Sequence, residues 1–216
     1  MSDIILFGNS SCFRRVDTME NQGDDKSYMM RLFYEQGATG IWNPGLTILH
    51  VMSLYKYYHR AGCTIILHVG VCESVTHAPL WFMTLASMYL ETYGWDSFFG
   101  VFVAPRMSKV AHAAYIGNDT YTRFLEPEHF RYLLDIFLKA TGNAKVLVMG
   151  LVKPNIDKKH LRYTQSKEYD VILKEVSESN SNATFIDVWS IGNSFDERHL
   201  TEKGHALVYD KIIENL

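Results

Sequence analysis

Three short runs constrain this chain most: Ile4 to Phe7, Thr64 to Val69 and Lys145 to Met149. Each is close to unbroken apolar sequence, without the apolar–polar alternation of a strand that has one wet face. Continuous runs of this length fit strands covered on both faces, as in a parallel sheet. A glycine follows each run, at Gly8, Gly70 and Gly150. Gly40-Ile41-Trp42 and Thr184 to Val188 are two further strand candidates.

Helical spacing fills the gaps. Asp24 and Asp25 stand as N-caps for a helix over 26–36, with Met29, Met30, Leu32 and Phe33 on its apolar face and Gly37 to stop it. Thr47 to Arg60 repeats Ile48, Val51, Met52, Leu54 and Tyr55. Residues 80–93 form another such segment. Pro127 opens a helix that runs to Ala140. Residues 151–166 read as a polar loop, Lys167 to Ser179 as a helix and Leu200 to Leu216 as the closing one. Strands that alternate with helices predict an α/β fold: a central five-stranded parallel sheet with helices on both faces, three layers in all.

The 216 residues fit one domain, 1–216, and 47% apolar residues supply a full core. A formal net charge of −3 gives no field that would draw nucleic acid or an anionic membrane. Cys12, Cys63 and Cys72 are odd in number and lack metal-ligand spacing, so no disulfide framework is expected. The opening residues lack a basic segment followed by an apolar one, and no apolar run is long enough to span a bilayer. The expectation is a cytoplasmic protein without a transmembrane segment.

In folds of this class ligands bind at the carboxyl ends of the strands. Ser10 follows the first strand, Gly45 the second, and Gly70, Cys72 and Glu73 the third. Asp196 and His199 follow the fifth. A serine hydroxyl becomes a nucleophile when a histidine takes its proton and an acid holds that histidine's tautomer. Asp196 and His199, three residues apart ahead of the last helix, suit that pairing with Ser10. The N–H groups of Ser10 and Gly45 are the candidate oxyanion donors.

These residues fall in four blocks that resemble those of the SGNH (GDSL-type) hydrolases. Gly8-Asn9-Ser10 is similar to the first block, usually Gly-Asp-Ser. Asn43-Pro44-Gly45 is similar to the second. His68-Val69-Gly70-Val71-Cys72-Glu73 is similar to the third, usually Gly-x-Asn-Asp. Asp196-Glu197-Arg198-His199-Leu200 is similar to the last. The resemblance implies a flavodoxin-like fold and a serine esterase with Ser10, His199 and Asp196 as its triad and no metal or organic cofactor. It also implies an oxyanion hole of Ser10, Gly45 and the residue at position 72. Two positions depart from the pattern: Asn9 stands for the usual Asp, and Cys72 for the usual oxyanion-hole Asn. A thiol is a weak donor, so Asn9 and Asn43 are possible substitutes. This chain also resembles SGNH-like proteins of bacterial surface-polysaccharide assembly that lack the same Asn.

The expected substrate is an O-acylated, above all O-acetylated, carbohydrate. Arg14 or Arg15 would bind an acidic group on it, and Asn43, Glu73 and His77 would line the site. Two rivals stand beside the esterase. One is an O-acyltransferase with the same triad in polysaccharide assembly; the other is a non-catalytic glycan-binding or assembly protein. Read singly, Ser10 is a turn serine, with Ser11 as the fallback nucleophile, and His199 is a helix-start histidine with Asp196 as cap. Cys72 is a small buried residue, and Arg14 and Arg15 are solvated loop charges. His68 inside its strand reads as a satisfied core residue. The aromatic cluster Trp95, Phe98, Phe99 and Phe102 reads as core or as a contact in a homo-oligomer.

Overall fold

In the computed structural model of the chain, residues 3–9, 26–42, 46–58, 60–74, 123, 125–192 and 199–216 are described. The chain divides into two compact units, Met1–Ser74 with Leu125–Leu216, and Val75–Phe124. Every element below belongs to the first. The helix expected over 80–93 and the aromatic cluster near 95–102 lie outside the described residues.

The elements run β1 (Ile4–Gly8), α1 (Tyr28–Gln36), β2 (Thr39–Trp42), α2 (Ile48–Tyr58), β3 (Thr64–His68) and the single turn α3 (Val71–Ser74). Beyond the second unit come α4 (Pro127–Ala140), β4 (Lys145–Met149), α5 (Leu161–Glu178), β5 (Ala183–Ile186) and α6 (Glu202–Ile213). The five strands form one sheet in the order β2-β1-β3-β4-β5, and every pairing is parallel.

The three continuous runs are the three central strands, and their residues divide between two cores. Ile5, Phe7, Ile65, Leu67, Val146 and Val148 point to one face. There they meet Ile48 and Val51 of α2, Phe130, Leu134 and Phe137 of α4, and Tyr169, Leu173 and Val176 of α5. Ile4, Leu6, Ile66, Leu147 and Met149 point to the other, against Met29 and Leu32 of α1 and Val208 and Ile212 of α6. Side chains two apart on a strand share a face, so a run buried on both faces must be apolar throughout. The three layers expected from the sequence are therefore present.

Boundaries move where polar residues do the work. Helix α1 is capped by Ser27, whose hydroxyl accepts from the N–H of Met30 at 3.2 Å; Asp24 and Asp25 lie outside the described residues. Gly37 ends it as expected, with φ +65° in the left-handed region. Helix α5 starts at Leu161, six residues earlier than the sequence suggests, with the His160 ring accepting from the N–H of Arg162. Its first turns bury Arg162, Gln165 and Ser166, so they carry no apolar stripe. Thr201 caps α6, its hydroxyl accepting from the N–H of Gly204 at 3.1 Å.

Candidate active site

Strand order 2-1-3-4-5 reverses direction between β1 and β3. In a parallel sheet this reversal opens a crevice at the carboxyl ends of those two strands. The chain leaves β1 at Gly8-Asn9 and β3 at Val69-Gly70, so the first and third blocks flank it. The Asn9 N–H donates to the carbonyl of His68 at 3.3 Å. This bond carries the β1–β3 pairing one residue past Gly8 and brings the chain to the threshold of Ser10. Asn9, just past the end of β1, is fully buried.

The described residues hold part of the expected constellation. His199 is 93% buried, two residues ahead of the Thr201 cap. Cys72 is half-buried, in α3. Ser10, Asp196, Gly45, Asn43, Arg14, Arg15 and His77 lie outside the described residues.

Glu73, read from sequence as a substrate contact, is turned inward. Its carboxylate has no solvent exposure. Oε1 accepts from the N–H of Ile48 at 2.6 Å, and Oε2 accepts from the N–H of Gly70 at 2.8 Å. Burial pushes its pKa up to about 7, against the pull of these backbone donors toward the ionised form. Sequence offers no sign of this role, because the partners are main-chain groups and one of them is 25 residues away.

A second buried group lies behind the crevice. His68, the last residue of β3, meets the hydroxyl of Tyr28 through Nδ1 at 2.5 Å. The rings of Tyr28 and His205 lie 5.6 Å apart. Both histidines are fully buried. Burial, and then the nearby His205, lower the His68 pKa to about 3. It is a neutral core histidine, as the sequence suggests, and it links β3, α1 and α6.

Asp170 treats the β4 exit as Glu73 treats the β3 exit. Its Oδ1 accepts from the N–H of Leu151 at 2.9 Å, and its Oδ2 pairs with Lys167 at 2.9 Å. Burial raises its pKa. Gly150 leaves the room: a Cβ there would stand 2.9 Å from Asp170 Oδ1. The Lys167 ammonium also lies over the Trp189 ring, 4.6 Å from its centre. Among the described residues, no three His, Cys, Asp or Glu side chains are grouped as metal ligands, and no helix is long and apolar enough to cross a membrane.

A parallel five-stranded sheet with a crevice at β1/β3 defines a three-layer α/β protein of the flavodoxin type. Comparison with solved structures narrows the fold further. The chain matches a lipase/acylhydrolase from Enterococcus faecalis at a TM-score of 0.59 and 16% identity, covering 100% of this chain and 95% of that one. It matches a member of the lipolytic G-D-S-L family from Veillonella parvula at 0.60 and 13%, covering 99% and 97%. It matches an acetylxylan esterase from Geobacillus stearothermophilus at 0.55 and 12%, covering 99% and 93%. The fold is thus the one these GDSL (SGNH) structures share, over essentially the whole chain. By sequence, no family model and no curated protein matches it.

Proposed function

We propose that the protein is a serine esterase of SGNH type that removes an acyl group, above all acetyl, from an O-acylated carbohydrate. The observation that supports this reading is where the described members of the blocks fall on the fold. Gly8-Asn9 leads out of β1 and Gly70-Val71-Cys72-Glu73 follows β3, at the crevice. His199 enters α6. The fold around them is shared end to end with acylhydrolase and acetylxylan esterase structures.

In this reading the Ser10 hydroxyl attacks the ester carbonyl while His199 takes its proton, and Asp196 holds the imidazole. The N–H groups of Ser10 and Gly45, with the residue-72 side chain, receive the oxyanion. Collapse expels the sugar oxygen, which takes the proton back from His199 and leaves Ser10 acylated. Water, deprotonated by His199, then releases the acid and restores the hydroxyl. Arg14 or Arg15 binds an acidic sugar, and Asn43 and His77 line the site. No metal or organic cofactor enters these steps.

The resemblance, at Cys72, to SGNH-like proteins of bacterial surface-polysaccharide assembly that also lack the usual Asn favours a second reading from the same site. There a bound sugar hydroxyl competes with water for the acyl-enzyme. The protein would be an O-acyltransferase of glycan assembly. Acetate release from acetylated xylo-oligosaccharides, against acetyl appearing on an added acceptor glycan, tests the pair. Hydrolysis lost by a factor of about 10⁴ or more in His199→Ala is expected for the esterase. Turnover equal in wild type and variant would sink both.

A further inference from the structure

Glu73 joins two loops that are far apart in the chain. Ile48 opens α2 three residues after Gly45, and Gly70 stands two residues before Cys72. One carboxylate accepts from both N–H groups, an oxygen for each. Gly70 makes the turn with φ +104°, and a Cβ there would press on Leu151 Cδ2 at 3.1 Å and Leu173 Cδ1 at 3.3 Å. The Glu73 carbonyl also accepts from the N–H of Leu125. A fully buried carboxylate costs stability that an apolar side chain of the same size would not. Its retention here goes with the two donors it holds, one at the start of α2 and one at the turn after β3.

We infer that Glu73 is a positioning residue for acyl transfer: it ties the start of α2 at Ile48 to the turn at Gly70, the two places that Gly45 and Cys72, assigned to the oxyanion, adjoin in the sequence. This rests on the esterase reading above. Glu73 itself touches no substrate. Above its pKa of about 7 the carboxylate is ionised and presents two acceptors, whereas glutamine presents one acceptor and one donor at any pH. In Glu73→Gln an NH₂ group must face one of the two N–H groups, so one bond is lost and that loop is released. A donor shifted by a fraction of an ångström weakens transition-state binding and leaves ground-state binding nearly alone.

The test compares wild type with Glu73→Gln on p-nitrophenyl acetate at about pH 8, where the Glu73 carboxylate is mostly ionised. Amide hydrogen exchange is followed at residues 46–48 and at Gly70. The expected result is kcat lower by about 10- to 100-fold with KM within about threefold, faster exchange at both loops, and a melt that stays cooperative. Unchanged kcat with both loops exchanging faster would overturn the inference, as would unchanged exchange. Should Glu73→Gln fail to fold, Glu73→Asp keeps the charge but is one methylene too short to hold both donors at their present distances, and is read in the same way. A wild type with neither turnover nor a Ser10 adduct would fail the esterase reading separately. The exchange data would then still decide whether Glu73 couples the two loops.

Discussion

Cys72 is the residue on which the proposed chemistry turns. A thiol in place of a carboxamide offers the oxyanion a weak donor, and one strong donor is worth about 10²- to 10³-fold in kcat. Cys72→Asn is therefore expected to raise kcat for ester hydrolysis by about 10-fold or more, with little change in KM. Steady-state kinetics on p-nitrophenyl acetate check this, and an unchanged or lower kcat would count against a donor at position 72. Arg14 and Arg15 make a prediction of the opposite kind. If one of them grips an acidic sugar, Arg14→Ala or Arg15→Ala raises KM for an acidic acetylated oligosaccharide and leaves KM for a neutral one alone. Sequence served these residues unevenly. Cys72 was visible as a departure from a pattern. Glu73 was visible as an acid near the site, yet its partners are main-chain groups, which no side-chain pattern announces. His68 was legible as core because it interrupts an apolar run. Its contact with Tyr28, 40 residues away, was not.

Elements were legible where burial is uniform. The central strands β1, β3 and β4 are apolar throughout because helices cover both faces, and each lies within two residues of its expected bounds. The start of α5 was hidden because Arg162, Gln165 and Ser166 face inward and break the helical stripe. Its signal was His160, whose ring accepts from the Arg162 N–H, and histidine is not a usual cap. The apolar pattern starts α6 at Leu200, two residues before its observed start at Glu202, because the cap is the polar Thr201. The Thr201 hydroxyl holds the N–H of Gly204, and His199 lies two residues before it. Thr201→Ala is expected to cost about 1 kcal/mol of stability, read as a lower denaturation midpoint with an unchanged slope. Ser27→Ala at the start of α1 carries a similar cost and, being remote from His199 in sequence, serves as its comparison. If capping α6 also steadies His199, Thr201→Ala lowers kcat and Ser27→Ala does not.

At the scale of the whole molecule, two buried ionisable groups oppose each other in the pH dependence of folding. His68 is held neutral, its pKa lowered from 6.5 to about 3. Its contribution is present above pH 6.5 and is lost as pH falls through that window, because the unfolded chain takes up the proton first. Glu73 is raised from 4.5 to about 7. Its contribution is fully present below pH 4.5 and is lost as pH rises to 7. Between about pH 4.5 and 6.5 the two slopes largely cancel. Glu73→Gln removes one of them. From pH 4.5 to 7 the variant should gain on wild type by on the order of 3 kcal/mol, whatever fixed loss it starts with. Urea unfolding at a series of pH values measures this, and a difference that stays constant with pH would mean that Glu73 does not titrate in that range.

The central claim is that the chain's far ends assemble a serine nucleophile and its base. Labelling with a fluorophosphonate, with the adduct located by mass spectrometry in wild type, Ser10→Ala and His199→Ala, tests it most directly. The account predicts one adduct, on Ser10, absent from Ser10→Ala and lost or greatly slowed in His199→Ala. An adduct on another residue, or one on Ser10 that forms equally fast without His199, would contradict it.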